Sequence, residues 1–183
     1  LMLAESLIEH SGFSADEFSR KLIRWGSAWD SDERLSSGVG FATRSAVERM
    51  IAGIPWQESG MDIPTCGSAI RSAPIGLLYH ADLGLVRGYA DLQSLPTHSA
   101  LPSRAGAVAV AVGVALGLMN LPRDMILEEA ARRAGRLDPD LGQRLLWIRD
   151  LLALPPREAL GRIGGSPLAR ETVVSAFYCF MIF

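Results

Sequence analysis

The segment that most constrains the fold is the run at residues 105–121, which holds only apolar residues and glycine apart from Asn120. A helix of this composition has no polar face, so other elements must cover it on every side. The run is also short for a bilayer core of about 30 Å. It therefore predicts a buried central helix, capped by Ser103 and enclosed by other helices, and we expect no membrane partner.

The rest of the chain repeats its apolar residues at helical spacing. Phe18, Leu22, Trp25 and Trp29 fall on one face of a helix that follows a capping serine. No run alternates apolar and polar residues between turn signals, as a half-buried strand would. With short connections throughout, these patterns predict an all-α fold, a compact orthogonal multi-helix bundle forming a single domain over residues 1–183.

Charge and composition exclude several classes of function. The chain carries 18 Lys and Arg against 20 Asp and Glu, a formal net charge of −2, which gives no electrostatic footprint for nucleic acid. Its two cysteines lie far apart in sequence and it has only three histidines, so a zinc site is not expected. A reducing, cytoplasmic location is the expectation for such a chain.

A glycine turn at residues 65–68 runs directly into an apolar segment that is predicted to be one helix. Backbone N–H groups at a helix start, together with the helix dipole, suit a phosphate or another anion. Many helices also begin after glycine and bind nothing, so this pattern alone leaves both interpretations open. Arg71, about one turn further on, is either a phosphate clamp or a buried arginine that bonds loop carbonyls.

Acidic pairs offer little for metal binding. Asp138 and Asp140 flank Pro139 at a predicted helix start, where capping explains them better than a metal ion. Glu128 and Glu129 lie one turn before two arginines and form ordinary surface pairs. Because magnesium needs clustered oxygen ligands, we expect no metal ligand within this chain.

Two segments carry a more specific signal. The first reads Cys-Gly-Ser-Ala-Ile-Arg-Ser-Ala-Pro-Ile-Gly from Cys66, and the second is Thr-His-Ser around His98, followed by the small-residue apolar run. Their wording and order resemble the ADP-ribosylglycohydrolase family, the relatives of dinitrogenase reductase-activating glycohydrolase. The segments at 38–44 and 171–180 are also similar to parts of that family. This chain departs from the family pattern at Thr65, Cys66 and Ile70.

The resemblance implies a fold of the ADP-ribosylglycohydrolase type and a set of ligand contacts. Thr65, Cys66, Gly67 and Ser68 would cradle a diphosphate or distal ribose, with Cys66 as a small neutral substitute for the family's asparagine. His98 would contact the ligand, whereas a histidine in a loop without that resemblance is expected to cap a helix or face solvent.

The resemblance also implies two Mg²⁺ ions, held in the family by a Thr-Asp-Asp-Thr motif and a later Gly-Gly-Asp-Thr-Asp motif. Neither motif occurs here. The first would precede Leu1 and the second would follow Phe183, and both ends are apolar and lack capping residues. The chain is therefore expected to be the central part of a longer domain whose metal ligands lie outside it.

The implied activity is hydrolysis of the glycosidic bond of ADP-ribose on modified protein side chains, or of a related nucleoside diphosphate-ribose. ADP-ribose or an ADP-ribosylated protein is the expected partner, and this chain alone is expected to be inactive. Two alternatives stay open: a non-catalytic module that binds ADP-ribose or a nucleotide, and an inactive helical fragment.

Overall fold

The structure, a computed structural model, describes the backbone of residues 1–183 and every side chain except that of Glu33. Thirteen helical segments and no strand lie among the described residues, so the predicted all-α class is confirmed. In chain order they are α1 (Met2–Glu9), α2 (Ala15–Ser27), α3 (Glu33–Ser36), α4 (Phe41–Ile51), α5 (Trp56–Ser59), α6 (Gly67–Ile70), α7 (Ala73–Leu78), α8 (Leu83–Leu92), α9 (Leu101–Leu118), α10 (Arg123–Ala134), α11 (Pro139–Leu151), α12 (Pro156–Ile163) and α13 (Ala169–Ile182).

Helix α9 lies at the centre of the bundle, as the apolar run predicts. It packs against α6, α7, α8, α10, α11 and α13, and ten of its eighteen residues are buried. Glycines permit the closest contacts: a methyl group on Gly76 of α7 would lie 2.3 Å from the carbonyl oxygen of Ala111. By length and composition alone α9 could also cross a membrane, and 56% of it is buried inside the protein.

The start of α9 corrects one prediction. Ser103 does not cap this helix, which begins two residues earlier with Ala100 in the cap position and Pro102 in its first turn. Proline is tolerated there because its missing N–H would have no partner within the helix. The buried Ser103 hydroxyl lies instead 2.7 Å from the carbonyl oxygen of Thr65 and 3.2 Å from that of Ile63. It therefore ties the glycine turn to the central helix.

The apolar segment after the glycine turn is not one helix, as predicted, but two. Helix α6 ends at Ile70, and α7 begins at Ala73. Pro74 explains the break, since a continuous helix would lose the bond from residue 74 to the carbonyl of Ile70 and bring the ring against that oxygen. The Ser72 hydroxyl donates to the carbonyl of Ala69 at 2.9 Å and closes the intervening turn.

The prediction of a helix cap is confirmed at Ser14 but not at Asp138, whose side chain has another partner. The hydroxyl of Ser14 accepts from the N–H of Glu17 at the start of α2. Asp138 occupies the cap position of α11, but its carboxylate makes no capping bond and pairs with Arg170 through two 2.8 Å contacts. Helix α4 begins at Phe41, with Gly40 in the cap position and no capping side chain.

Candidate functional site

A cavity of about 600 Å³ lies between the α1–α2 end of the molecule and the glycine turn. We call it the main cavity. Its volume falls in the range of ligand pockets, roughly 300–1,000 Å³. Its walls come from the start of α1, the inner face of α2, the loop 37–40 with the start of α4, and the turn before α6. The lining includes Leu1, Met2, Leu3, Phe18, Leu22, Trp25, Ser37, Gly38, Gly40, Phe41, Thr43, Ile63, Thr65, Cys66, Gly67, Ile70, Arg71, His98 and Pro167.

Four of the five predicted ligand residues line this cavity: Thr65, Cys66, Gly67 and His98. The fifth, Ser68, lies outside it. Ser68 is buried, and its hydroxyl donates to the carbonyl of Ser103 at 3.0 Å. The structure thus brings His98 to the glycine turn across thirty-odd residues of sequence, while Ser68 faces the central helix.

His98 is buried, and both of its ring nitrogens have hydroxyl partners. Its Nε2 lies 3.1 Å from Oγ1 of Thr65, and its Nδ1 lies 2.8 Å from Oγ1 of Thr97. Burial and the nearby Arg71 cation lower the pKa of His98 to about 3. The imidazole is therefore neutral at physiological pH and can donate one hydrogen bond and accept another.

Gly67 lies directly against the His98 ring. A methyl group at this position would lie 2.7 Å from Cε1 and 2.8 Å from Nε2 of His98, and 3.5 Å from Oγ1 of Thr43. Contacts this short require the ring to move, although hydrogen bonds hold it on both sides. Glycine is needed here because it leaves room for the ring. Its conformational freedom is not the reason, since Gly67 does not adopt the left-handed backbone conformation.

Arg71 adopts the structural role among its two predicted roles. Its guanidinium is partly buried and lies over the ring of Phe18. It donates to the side chain and carbonyl of Gln93 at 2.7 and 2.8 Å and to Oγ1 of Thr97 at 2.7 Å. Burial lowers its pKa to about 9. All of these partners are neutral, so the charge of Arg71 favours negative charge in the adjoining cavity.

The glycine turn is fixed by backbone contacts to the start of α13. The N–H of Cys66 donates to the carbonyl of Pro167 at 3.0 Å, and the N–H of Ala169 donates to the carbonyl of Pro64 at 2.8 Å. Helix α6 has only four residues, so it supplies a much weaker dipole than the predicted long helix would. The Cys66 thiol is free and partly exposed at the cavity wall.

Sequence reasoning missed the wall formed by residues 37–43. Helix α4 begins there with Gly40 in the cap position and no capping side chain, and the first N–H groups of a helix have no partner within it. This longer helix presents its start to the cavity, as does the short α6, whose cap residue Cys66 and first residue Gly67 also line it. The sequence signal that could have indicated this wall is the pair of glycines Gly38 and Gly40. The segment was noted for its resemblance to the family but not as a binding element.

Metal ligands do not gather in the part of the chain that the structure describes. No group of three or more His, Cys, Asp or Glu side chains there could hold an ion, and no carboxylate lines the main cavity. Asp138 and Asp140 both contact Arg170, at 2.8 and 3.2 Å, so these carboxylates are neutralised by a guanidinium. Glu129 pairs with Arg133 as predicted and also with Arg132, whereas Glu128 pairs with Arg149 instead.

Together these features define a helical protein with a cavity of ligand size in which Thr65, Gly67 and His98 come together. The ADP-ribosylglycohydrolase family model matches residues 1–182, and the chain belongs to this family.

Two relatives place the chain within longer proteins. An uncharacterized protein of Archaeoglobus fulgidus is 32% identical over 180 residues, which cover 98% of this chain and 57% of that protein. A solved structure described as an ADP-ribosylglycohydrolase-related protein complex is 25% identical, with a TM-score of 0.71, over 99% of this chain and 56% of that one. The chain thus spans little more than half the length of these relatives, and it shares the fold of the latter.

Proposed function

We propose that the protein is a hydrolase that removes ADP-ribose from modified protein side chains, or cleaves a related nucleoside diphosphate-ribose, and that the main cavity binds the ADP-ribose moiety. The observation that carries this proposal is the convergence of Thr65, Gly67 and His98 on one cavity in a chain of the ADP-ribosylglycohydrolase family. Both the residues of the resemblance and their geometry support it.

The chemistry of the cavity suits a diphosphate-ribose. The hydroxyl of Thr65 and the start of α4 offer hydrogen-bond donors, while the partly buried cation of Arg71 favours an anion and no carboxylate of the described residues lines the cavity to oppose it. Apolar side chains of the same cavity, including the exposed Phe41 and Ile70, suit the face of a base. Cys66 would contribute a small neutral surface.

Hydrolysis of a glycosidic bond needs more than this chain displays. Such enzymes use paired carboxylates, or a metal ion that orients the sugar and activates water. The family is generally metal-dependent, and the resemblance implies two Mg²⁺ ions, but the described residues do not fit a hard dication. In this proposal the chain binds and orients the ligand, and the carboxylates of the metal site belong to other parts of the protein.

A second function, a non-catalytic ADP-ribose-binding module, is favoured by one observation. No carboxylate lines the main cavity among the described residues, so the pair of carboxylates that most glycosidases use at the sugar is not found there. Binding and turnover therefore have to be measured separately.

The test incubates the complete protein with an ADP-ribosylated protein and millimolar Mg²⁺, and measures released ADP-ribose, with the 183-residue chain in parallel. The hydrolase proposal predicts release by the complete protein and none by this chain. Binding of ADP-ribose without release by the complete protein would establish the module instead.

A cytoplasmic location is also proposed, and the two free cysteines agree with a reducing compartment.

A further inference from the structure

A line of hydrogen bonds runs from the protein interior to the main cavity. Nη2 of Arg71 donates to Oγ1 of Thr97 at 2.7 Å, and that hydroxyl lies 2.8 Å from Nδ1 of His98. Nε2 of His98 then lies 3.1 Å from Oγ1 of Thr65, which lines the cavity. Thr97 and His98 are buried, so these contacts are shielded from water.

The direction of this line follows from what each group can do. A guanidinium only donates, so the oxygen of Thr97 accepts from Arg71 and must send its own proton elsewhere. Two acceptors are within reach: Nδ1 of His98 at 2.8 Å and the carbonyl of Ser94 at 3.5 Å. The first distance is normal for a hydrogen bond and the second is at its limit. The hydroxyl therefore donates to Nδ1.

The rest of the line is then determined. A neutral imidazole carries one N–H, and with Nδ1 accepting, that proton lies on Nε2. The Nε2–H group donates to Oγ1 of Thr65. The Thr65 hydroxyl has no other side-chain partner among the described residues, so its proton is available to an acceptor in the cavity.

We propose that Arg71 and Thr97 are positioning residues that fix His98 in its Nε2–H tautomer, so that the relay ends in a hydrogen-bond donor at Thr65. The cavity would then select a ligand with an acceptor oxygen, such as a phosphate or ribose oxygen, at this point. The nature of the ligand rests on the proposed function, whereas the tautomer does not. The His98 pKa of about 3 agrees with a ring that stays neutral.

The tautomer can be measured directly by ¹⁵N NMR of the histidine rings in the ligand-free protein, with His98 assigned by its loss in His98→Gln. We expect a protonated Nε2 and an unprotonated Nδ1 at pH 7. Thr97→Val should shift His98 to a mixture of tautomers or to Nδ1–H, and Thr97→Ser should restore the original signals. An Nδ1–H ring in the wild type, or an unchanged tautomer in Thr97→Val, would overturn the proposal. If Thr97→Val does not fold, the wild-type tautomer decides.

Ligand binding supplies a separate test. Thr65→Val should weaken the binding of free ADP-ribose about tenfold, the usual effect of one lost hydrogen bond, while Thr65→Ser retains it. Equal affinity in Thr65→Val would overturn the donor role of Thr65. If the wild type binds no ADP-ribose, the proposed function fails, and the NMR result still decides the relay.

Discussion

The backbone of Gly67 packs against the edge of the His98 imidazole so closely that a methyl group on Gly67 would lie 2.7 Å from Cε1 of His98. The ring cannot retreat without breaking its bonds to Thr65 and Thr97. The glycine turn and the Thr-His-Ser segment therefore form one unit, and a side chain at position 67 acts on the histidine before it meets any ligand.

Replacing Gly67 by alanine should weaken ADP-ribose binding by about 1–3 kcal/mol, because the displaced ring would lose a hydrogen bond in the site. Gly88→Ala is the matched control, since a methyl group on Gly88 meets nothing within 4 Å. Calorimetry with free ADP-ribose measures both variants. Equal affinities for the two would remove His98 and Gly67 from the site.

Acid should destabilise the protein through His98. The folded-state pKa of His98 is about 3, below the ordinary value of 6.5, so the unfolded chain binds more protons between these values. The stability that depends on a neutral His98 is fully present above pH 6.5. It is lost as the pH falls toward 3, by up to about 1.4 kcal/mol per pH unit. The pKa of Glu129 is also lowered, to about 2, mainly by its hydrogen bond with Arg132. This second pH dependence is the same in the wild type and in a His98 variant, so it cancels when the two are compared at equal pH.

Urea unfolding of the wild type and His98→Gln from pH 8 to pH 4 checks this expectation. The wild type should lose stability relative to the variant below about pH 6.5. Parallel stability curves would show that the ring is not held neutral in the folded protein.

Much of the fold follows from local patterns, and the exceptions have particular causes: Pro74 divides the segment after the glycine turn, and Ser103 takes distant partners. The spacing of Phe18 and Leu22, and the apolar run of α9, correctly predicted helices because burial there depends only on periodicity. Ser103 was misassigned because its acceptors, the carbonyls of Ile63 and Thr65, lie some forty residues away in sequence. Helical spacing carries no information on such contacts.

The site was predictable to a similar degree. The resemblance, and not the spacing, indicated that Gly67 and His98 act together, and the structure places them in contact. The wall around Gly40 was missed because a capping glycine carries no chemistry of its own. The single-domain organisation, the cytoplasmic location and the roles in binding of Thr65, Cys66, Gly67, Ser68 and His98 stay predictions.

Close packing of α7 on α9 predicts a large effect at Gly76. A methyl group there would lie 2.3 Å from the backbone oxygen of Ala111, so Gly76→Ala should destabilise the protein by about 1–3 kcal/mol through overpacking. Gly117→Ala is the control, because a methyl group on Gly117 meets nothing within 4 Å. It should be neutral, or stabilise α9 by up to about 1 kcal/mol. Urea unfolding that ranks the two variants equally would contradict this account of the core.

The ion pair between the buried Asp138 and the partly exposed Arg170 should matter more than the neighbouring pairs of Asp140. Asp138→Asn leaves the guanidinium facing an amide in a buried site and should cost about 1–3 kcal/mol. Asp140→Asn, at a half-exposed carboxylate that lies 3.2 Å from both Arg144 and Arg170, should cost less than about 1 kcal/mol. Chemical denaturation of both variants measures the difference, and a larger loss for Asp140→Asn would reverse the assignment.

The central claim is that the main cavity holds ADP-ribose, and a crystal structure of the protein with free ADP-ribose tests it most directly. The account predicts the ligand between the start of α4 and the glycine turn, with one of its oxygen atoms in hydrogen-bond contact with Oγ1 of Thr65. Binding elsewhere, such as in the smaller apolar groove lined by Gly113 and Phe177 between α9 and α13, would contradict it.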